Sequence, residues 1–234
     1  MIQSGVLPML ITYYANTNQL YPSSRIVIDH DATLDPATTI MFCKIHEPKL
    51  RTMIFRNDGT IIKTPQTPKA LIKKLLAPHG DLGAVLIDGI INHLYQTPHP
   101  GTRQLPIMGK NCLIFPAVGM TRHPGCWVFL NKYPIRKESP SLFTIDVPEH
   151  DIELRLEVDR KVFQANKNTA YQCYGVAQAI FPQRFTVNLP PHYETTLTNQ
   201  EVANIMNSLG TLRIVKILKD RFGMSLWDIK RIIK

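Results

Sequence analysis

Three observations predict an α+β fold with a β-rich N-terminal half of hairpins, central helices and a C-terminal helical appendage. Between Arg25 and Lys63, short apolar runs are separated by Asp/Pro/His-rich stretches and an Asp-Gly turn, as in short paired strands. Between Asp151 and Asp159, Ile152, Leu154, Leu156 and Val158 alternate with Glu153, Arg155 and Glu157, the period-2 pattern of a strand with one wet face. From Lys161 onward helical spacing and capping chemistry take over. With 234 residues, 44% of them hydrophobic, the chain can bury the core of one large domain or two small ones.

The first elements are Arg25–Ile28, Thr39–Cys43 and Leu50–Phe55, followed by Asn57-Asp58-Gly59 leading into Thr60–Ile62. Asp-Gly between apolar runs favours a hairpin because Gly accepts the positive φ of the turn, so this half reads as a small antiparallel sheet. Pro65 and Pro68 then open a helix over Lys69–Ala77, with Leu71, Ile72, Leu75 and Leu76 at helical spacing. Val85–Tyr95 reads as a second helix. Two apolar strand-like runs between Leu105 and Asn131 flank a short tip, Gly119-Met-Thr-Arg-His-Pro-Gly125. After the alternating strand, Lys161–Ile180, rich in Ala, Gln and Tyr, reads as a helix.

A Pro-rich stretch, Phe181 to Thr196, divides the chain into a domain over 1–190 and a helical segment over 198–234. In that segment Thr198 and Glu201 have capping-box spacing, and Val202, Ile205, Met206 and Leu209 form one apolar stripe. Helices follow over Leu212–Phe222 and from Ser225.

Charge narrows the choice of partner. Lys and Arg number 27 against 18 Asp and Glu, a net +9 at pH 7, which suits a polyanion such as double-stranded DNA. The excess is uneven: Gly210–Lys234 holds seven bases and two acids, whereas Phe143–Asp159 holds six acids against Arg155. Four cysteines, Cys43, Cys112, Cys126 and Cys173, are far apart without a CxxC, which points to reduced thiols in the cytoplasm. Combining Cys112, Cys126 and His123 into a metal site has no spacing to support it. The N-terminus lacks the charged start of a signal peptide and no run approaches a membrane span, so no membrane partner is expected. The chain has no P-loop, no GxGxxG after a strand, no HExxH and no GxSxG, so neither catalysis nor a cofactor is expected.

Two surfaces are candidates for DNA. The tip presents Arg122 and His123, and an arginine on a tight loop suits the negative potential of a narrow AT-rich minor groove; Lys132, Arg136 and Lys137 beyond the second run would hold phosphates. At the C-terminus, Phe222-Gly223-Met224-Ser225 has the order of a helix-turn-helix corner, and the following helix carries Trp227, Lys230, Arg231 and Lys234 as candidate contacts. The competing reading of these helices is a hairpin that caps the core or mediates dimerisation.

Pro106-Ile107, Phe115-Pro116, Thr121-Arg122, Pro124 and Cys126-Trp127, followed by Glu153-Leu154, Phe163, Asn166 and Ala170, stand in an order that resembles the ComK family of competence transcription factors of low-GC Gram-positive bacteria. The resemblance spans roughly residues 85 to 180. Cys126 stands one residue closer to Trp127 than in the family, and Leu71–Tyr95 occupies the place of its Gly/Ser/Arg-rich block. The resemblance implies an oligomeric transcription activator of competence genes that recognises paired AT-rich boxes largely through the minor groove. It also implies control by the adaptor of a Clp-type protease, for which Ile180, Phe181 and Pro182 are the candidate contacts. The alternative is a non-catalytic regulatory module that binds protein partners through the acidic strand and the C-terminal helices.

Overall fold

A computed structural model describes residues 9–14, 19–21, 25–77, 106–109, 111–118, 125–130 and 133–180, with the isolated positions 187, 200 and 207. The expected helix over Val85–Tyr95, the Pro-rich linker and the C-terminal helices fall almost entirely outside them. The described residues form an α+β fold of twelve strands and two α-helices. In chain order these are β1 (Met9–Tyr14), β2 (Gln19–Tyr21), β3 (Ile26–Ile28), β4 (Thr39–Lys44), β5 (Thr52–Arg56), β6 (Ile61–Thr64), α1 (Pro68–Leu76), β7 (Ile107–Met108), β8 (Leu113–Pro116), β9 (Cys126–Leu130), β10 (Ile135–Lys137), β11 (Leu142–Val147), β12 (Ile152–Glu157) and α2 (Arg160–Ile180).

Seven strands make one sheet in the order β3-β6-β5-β4-β9-β8-β7, and five make a second, β10-β11-β12-β1-β2. The expected N-terminal sheet is thus part of a larger one: β4 pairs with β9, which joins the early hairpin to the strands on either side of the tip. The sheet is also not wholly antiparallel, because β3 runs parallel to β6. The turn between β5 and β6 follows the sequence. Gly59 takes φ 80°, Gly59 N–H donates to the Arg56 carbonyl at 3.2 Å, and Arg56 and Thr60 close the loop at 3.0 Å, as in a three-residue hairpin with its left-handed position on Gly.

Strand parity explains the two cores. Met41, Cys43, Met53, Phe55, Phe115, Cys126 and Val128 face the second sheet, where Ile11, Tyr13, Phe143, Ile145, Leu154 and Leu156 meet them. Tyr13 approaches Phe55 with ring centroids 5.4 Å apart. The alternate residues Phe42, Ile54, Ile114 and Phe129 turn to the other face and pack with Leu71, Ile72 and Leu75 of α1. Thr67 starts α1 as its N-cap, with Oγ1 accepting from Ala70 N–H at 3.2 Å. At the edge of the sheet β3 departs from expectation: Ile26, Val27 and Ile28 are all exposed.

β12 shows the predicted alternation, with Ile152, Leu154 and Leu156 buried and Glu153, Arg155 and Glu157 half-buried. Its polar face is more than a solvated one. Arg136 of β10 binds both carboxylate oxygens of Asp146, with Nη2 at 2.6 Å from Oδ1, and lies 3.8 Å from Glu153; Arg155 lies 3.5 Å from Glu153 and 3.6 Å from Glu138. Thr144, in register between Arg136 and Arg155, is fully buried on this face, as expected when two long side chains lie across the sheet.

Candidate nucleic-acid interface

The tip over 119–124 grows from two interior strands. β8 and β9 pair antiparallel with Pro116 opposite Trp127, and Ala117 N–H donates to the Cys126 carbonyl at 2.8 Å. β4 supports the far side of β9, where Lys44 N–H donates to the Gly125 carbonyl at 2.7 Å. Every residue from Leu113 to Val118 is buried. A loop emerging from such a base is held at both ends by packed strands.

Three side chains, Trp127, Phe163 and Asn166, fix the root of the tip. Trp127 stacks on Phe42 with centroids 5.2 Å apart and planes 10° from parallel. Its ring lies over Gly125, where a Cβ would come within 2.4 Å of Trp127 Cη2. On the opposite face of the sheet, Phe163 of α2 packs against Phe115 at 5.1 Å and stacks on Phe143 at 4.1 Å, and Asn166 Nδ2 donates to the Pro116 carbonyl at 2.9 Å. The sequence shows these as ordinary aromatic and amide residues; their convergence depends on two segments separated by about a fifth of the chain.

The expected contact residues are distributed as follows. Arg122, His123, Lys132, Trp227, Lys230, Arg231 and Lys234 lie outside the described residues, as do Phe181 and Pro182. Ile180 is the last residue of α2. Arg136 and Lys137 are exposed on β10, an edge strand of the five-stranded sheet, whereas the tip belongs to the seven-stranded one. Arg136 is not a free cation there: its hydrogen bond and charge interaction with Asp146, reinforced by Glu153, hold it still more firmly protonated. Lys137 makes no ion pair among the described residues.

The cysteines sit in two places. Cys43 and Cys126 face one another across β4 and β9 in the inter-sheet core, while Cys112 belongs to the core under α1. Cys112 and Cys126 therefore point to opposite faces of one sheet. Among the described residues no three His, Cys, Asp or Glu side chains are grouped as metal ligands. Burial pushes the thiols up from the ordinary 9.0, to about 12 for Cys43 and Cys173 and to about 11 for Cys112, and raises Cys126 strongly as well.

Such thiols are poor nucleophiles. The native protein is expected to react only slowly with a chromogenic disulfide reagent, and to titrate four thiols at once in denaturant; rapid reaction of the native form would contradict their burial. Because these pKa values are raised by folding, the stability held by the neutral thiols is complete below pH 9 and is lost as pH climbs through 11 to 12. The melting temperature should fall across that window.

Among the described residues no helix is long and apolar enough to cross a membrane. No family model matches the chain, and no curated protein or solved structure matches it significantly.

Proposed function

We propose that this protein is a DNA-binding transcription activator of competence genes, recognising AT-rich promoter boxes with Arg122 and His123 of the β8–β9 tip in the minor groove. One observation carries the reading. The residues of the ComK-like pattern, drawn from two separate stretches of sequence, converge at the root of the tip: Phe163 on Phe115, Asn166 on the Pro116 carbonyl, and Trp127 across Gly125. That convergence supports reading the two stretches as one pattern, with the loop they carry as its DNA-contacting part. The net +9 charge supplies the general attraction to phosphate.

In this reading the protein acts in the cytoplasm as a homo-oligomer, and the adaptor of a Clp-type protease takes hold at Ile180, Phe181 and Pro182. The segment expected to form a helix with Trp227, Lys230, Arg231 and Lys234 adds a second DNA contact or joins the copies. The alternative module has less free charge to work with, since Glu153 of the acidic strand is already engaged by Arg136 and Arg155.

Fluorescence anisotropy with AT-rich and GC-rich duplexes across a salt series tests the reading. Wild-type affinity should fall steeply with salt, as counterions are released from neutralised phosphates. Arg122→Ala should weaken AT-rich sites more than mixed sequence, because groove width and potential differ between them. Absence of binding at low salt would dispose of the activator reading; an equal loss on every duplex would reduce Arg122 to a phosphate contact.

A further inference from the structure

We propose that the corner joining β4 to β5 is a second DNA-contacting surface, on which Lys44, Lys49 and Arg51 grip the backbone of the duplex beside the tip. The proposal rests on the DNA-binding reading above and adds residues for which the sequence has no motif. Lys44 ends β4, Arg51 immediately precedes β5, and Lys49 lies in the connection between them.

The backbone ladder places this corner next to the root of the tip. Lys44 N–H donates to the Gly125 carbonyl at 2.7 Å, Ile45 N–H to the Arg51 carbonyl at 2.9 Å, and Arg51 N–H to the Thr64 carbonyl at 2.8 Å. One end of the sheet thus runs from Gly125 through Lys44 and Arg51 to Thr64 across four neighbouring strands. Lys44 and Arg51 stand at the ends of neighbouring strands, ~4.8 Å apart across the ladder, with Lys49 in the connection between them, so the three long side chains fan out from one corner and can meet more than one phosphate.

Charge and anchoring make the corner suited to phosphate. Lys44, His46, Lys49 and Arg51 are exposed. The corner's one acid, Glu47, is taken up by Lys63 Nζ at 2.5 Å. Among the described residues Lys44, Lys49 and Arg51 make no ion pair, in contrast to Arg136. Leu50 packs against the inter-sheet core, and Thr52 Oγ1 donates to the Gln66 carbonyl at 2.6 Å, so the connection is tied down on both sides. With its large apolar side chain turned inward, the corner offers charge without the apolar anchor a peptide site needs. Fixed bases of that kind position a nucleic-acid backbone.

The test uses the full chain and a labelled AT-rich duplex, read by anisotropy across a salt series, with thermal melts for every variant. The triple change Lys44→Ala, Lys49→Ala, Arg51→Ala should lower the magnitude of the salt slope by about 2 to 3 and low-salt affinity by roughly tenfold or more. Lys49→Ala alone, in an exposed connection, should lower the slope by about 1. The charge-conserving triple Lys44→Arg, Lys49→Arg, Arg51→Lys should bind like wild type. Lys73→Ala with Lys74→Ala, in the last turn of α1, should change affinity far less than the alanine triple.

A folded alanine triple that keeps wild-type affinity and slope refutes the corner and leaves the DNA reading standing. Wild-type protein that binds no duplex at low salt overturns both. Loss of poly-glutamate binding in the triple, with DNA binding intact, would overturn the proposal in favour of an acidic protein partner.

Discussion

Phe163→Ala is expected to lower stability by about 3 to 5 kcal/mol, the range for truncating a fully buried aromatic ring. Phe163 is 0% exposed and touches Phe115 of one sheet and Phe143 of the other. Removing its ring therefore leaves a cavity where α2 and both sheets meet, and the two remaining rings cannot close it without moving strands. Urea unfolding followed by circular dichroism measures the change. Phe163→Leu, which keeps most of the volume, should cost clearly less. A loss below about 1 kcal/mol for the alanine variant would show that α2 is not held by this ring. Lower affinity for DNA in folded Phe163→Ala would further tie the junction to the tip.

Gly125→Ala comes next, at about 1 to 3 kcal/mol, the usual cost of forcing atoms into a packed site. The new methyl group would sit 2.4 Å from Trp127 Cη2 and 2.9 Å from Cζ3. The indole cannot give way freely, because it is stacked on Phe42. Either the ring leaves that stack or the start of β9 shifts, and the shift would disturb the hydrogen bond from Lys44 N–H to the Gly125 carbonyl. In a Trp227→Phe background, where Trp127 is the sole indole, the emission should move to longer wavelength and the urea midpoint should drop. Unchanged emission and midpoint would mean that the ring does not lie over Gly125.

Elements defined by local chemistry are legible in the sequence itself. The alternation of Ile152 to Val158, the Asn57-Asp58-Gly59 turn, the α1 start at Pro68 and the long helix ending at Ile180 each depend on neighbours within a few residues. β1 has strand-like residues and a local antiparallel partner in β2, Tyr14 opposite Gln19, but its place in the sheet is not written in them. It pairs parallel with β12, Met9 opposite Ile152 through Tyr14 opposite Glu157, and no local turn joins strands so far apart. β3 reads as part of an antiparallel sheet for the same reason, since its own residues do not encode the parallel pairing with β6.

The candidate site divides along the same line. Exposed bases such as Arg136 are visible in the sequence, but whether a base is free depends on the carboxylates that folding sets beside it. Arg136 acquires Asp146 and Glu153 from two other strands, while Lys44, Lys49 and Arg51 acquire none among the described residues, because the one acid in their connection is drawn to Lys63. Composition, periodicity and turn chemistry by themselves determined the α+β class, several elements and the positive charge available for a polyanion. Tertiary structure alone decided which strands share a sheet, that Phe163 and Asn166 meet the root of the tip, and which cations stay unneutralised. Those outcomes are set by contacts between residues far apart in the chain, whose energies are gained only once the intervening loops have closed.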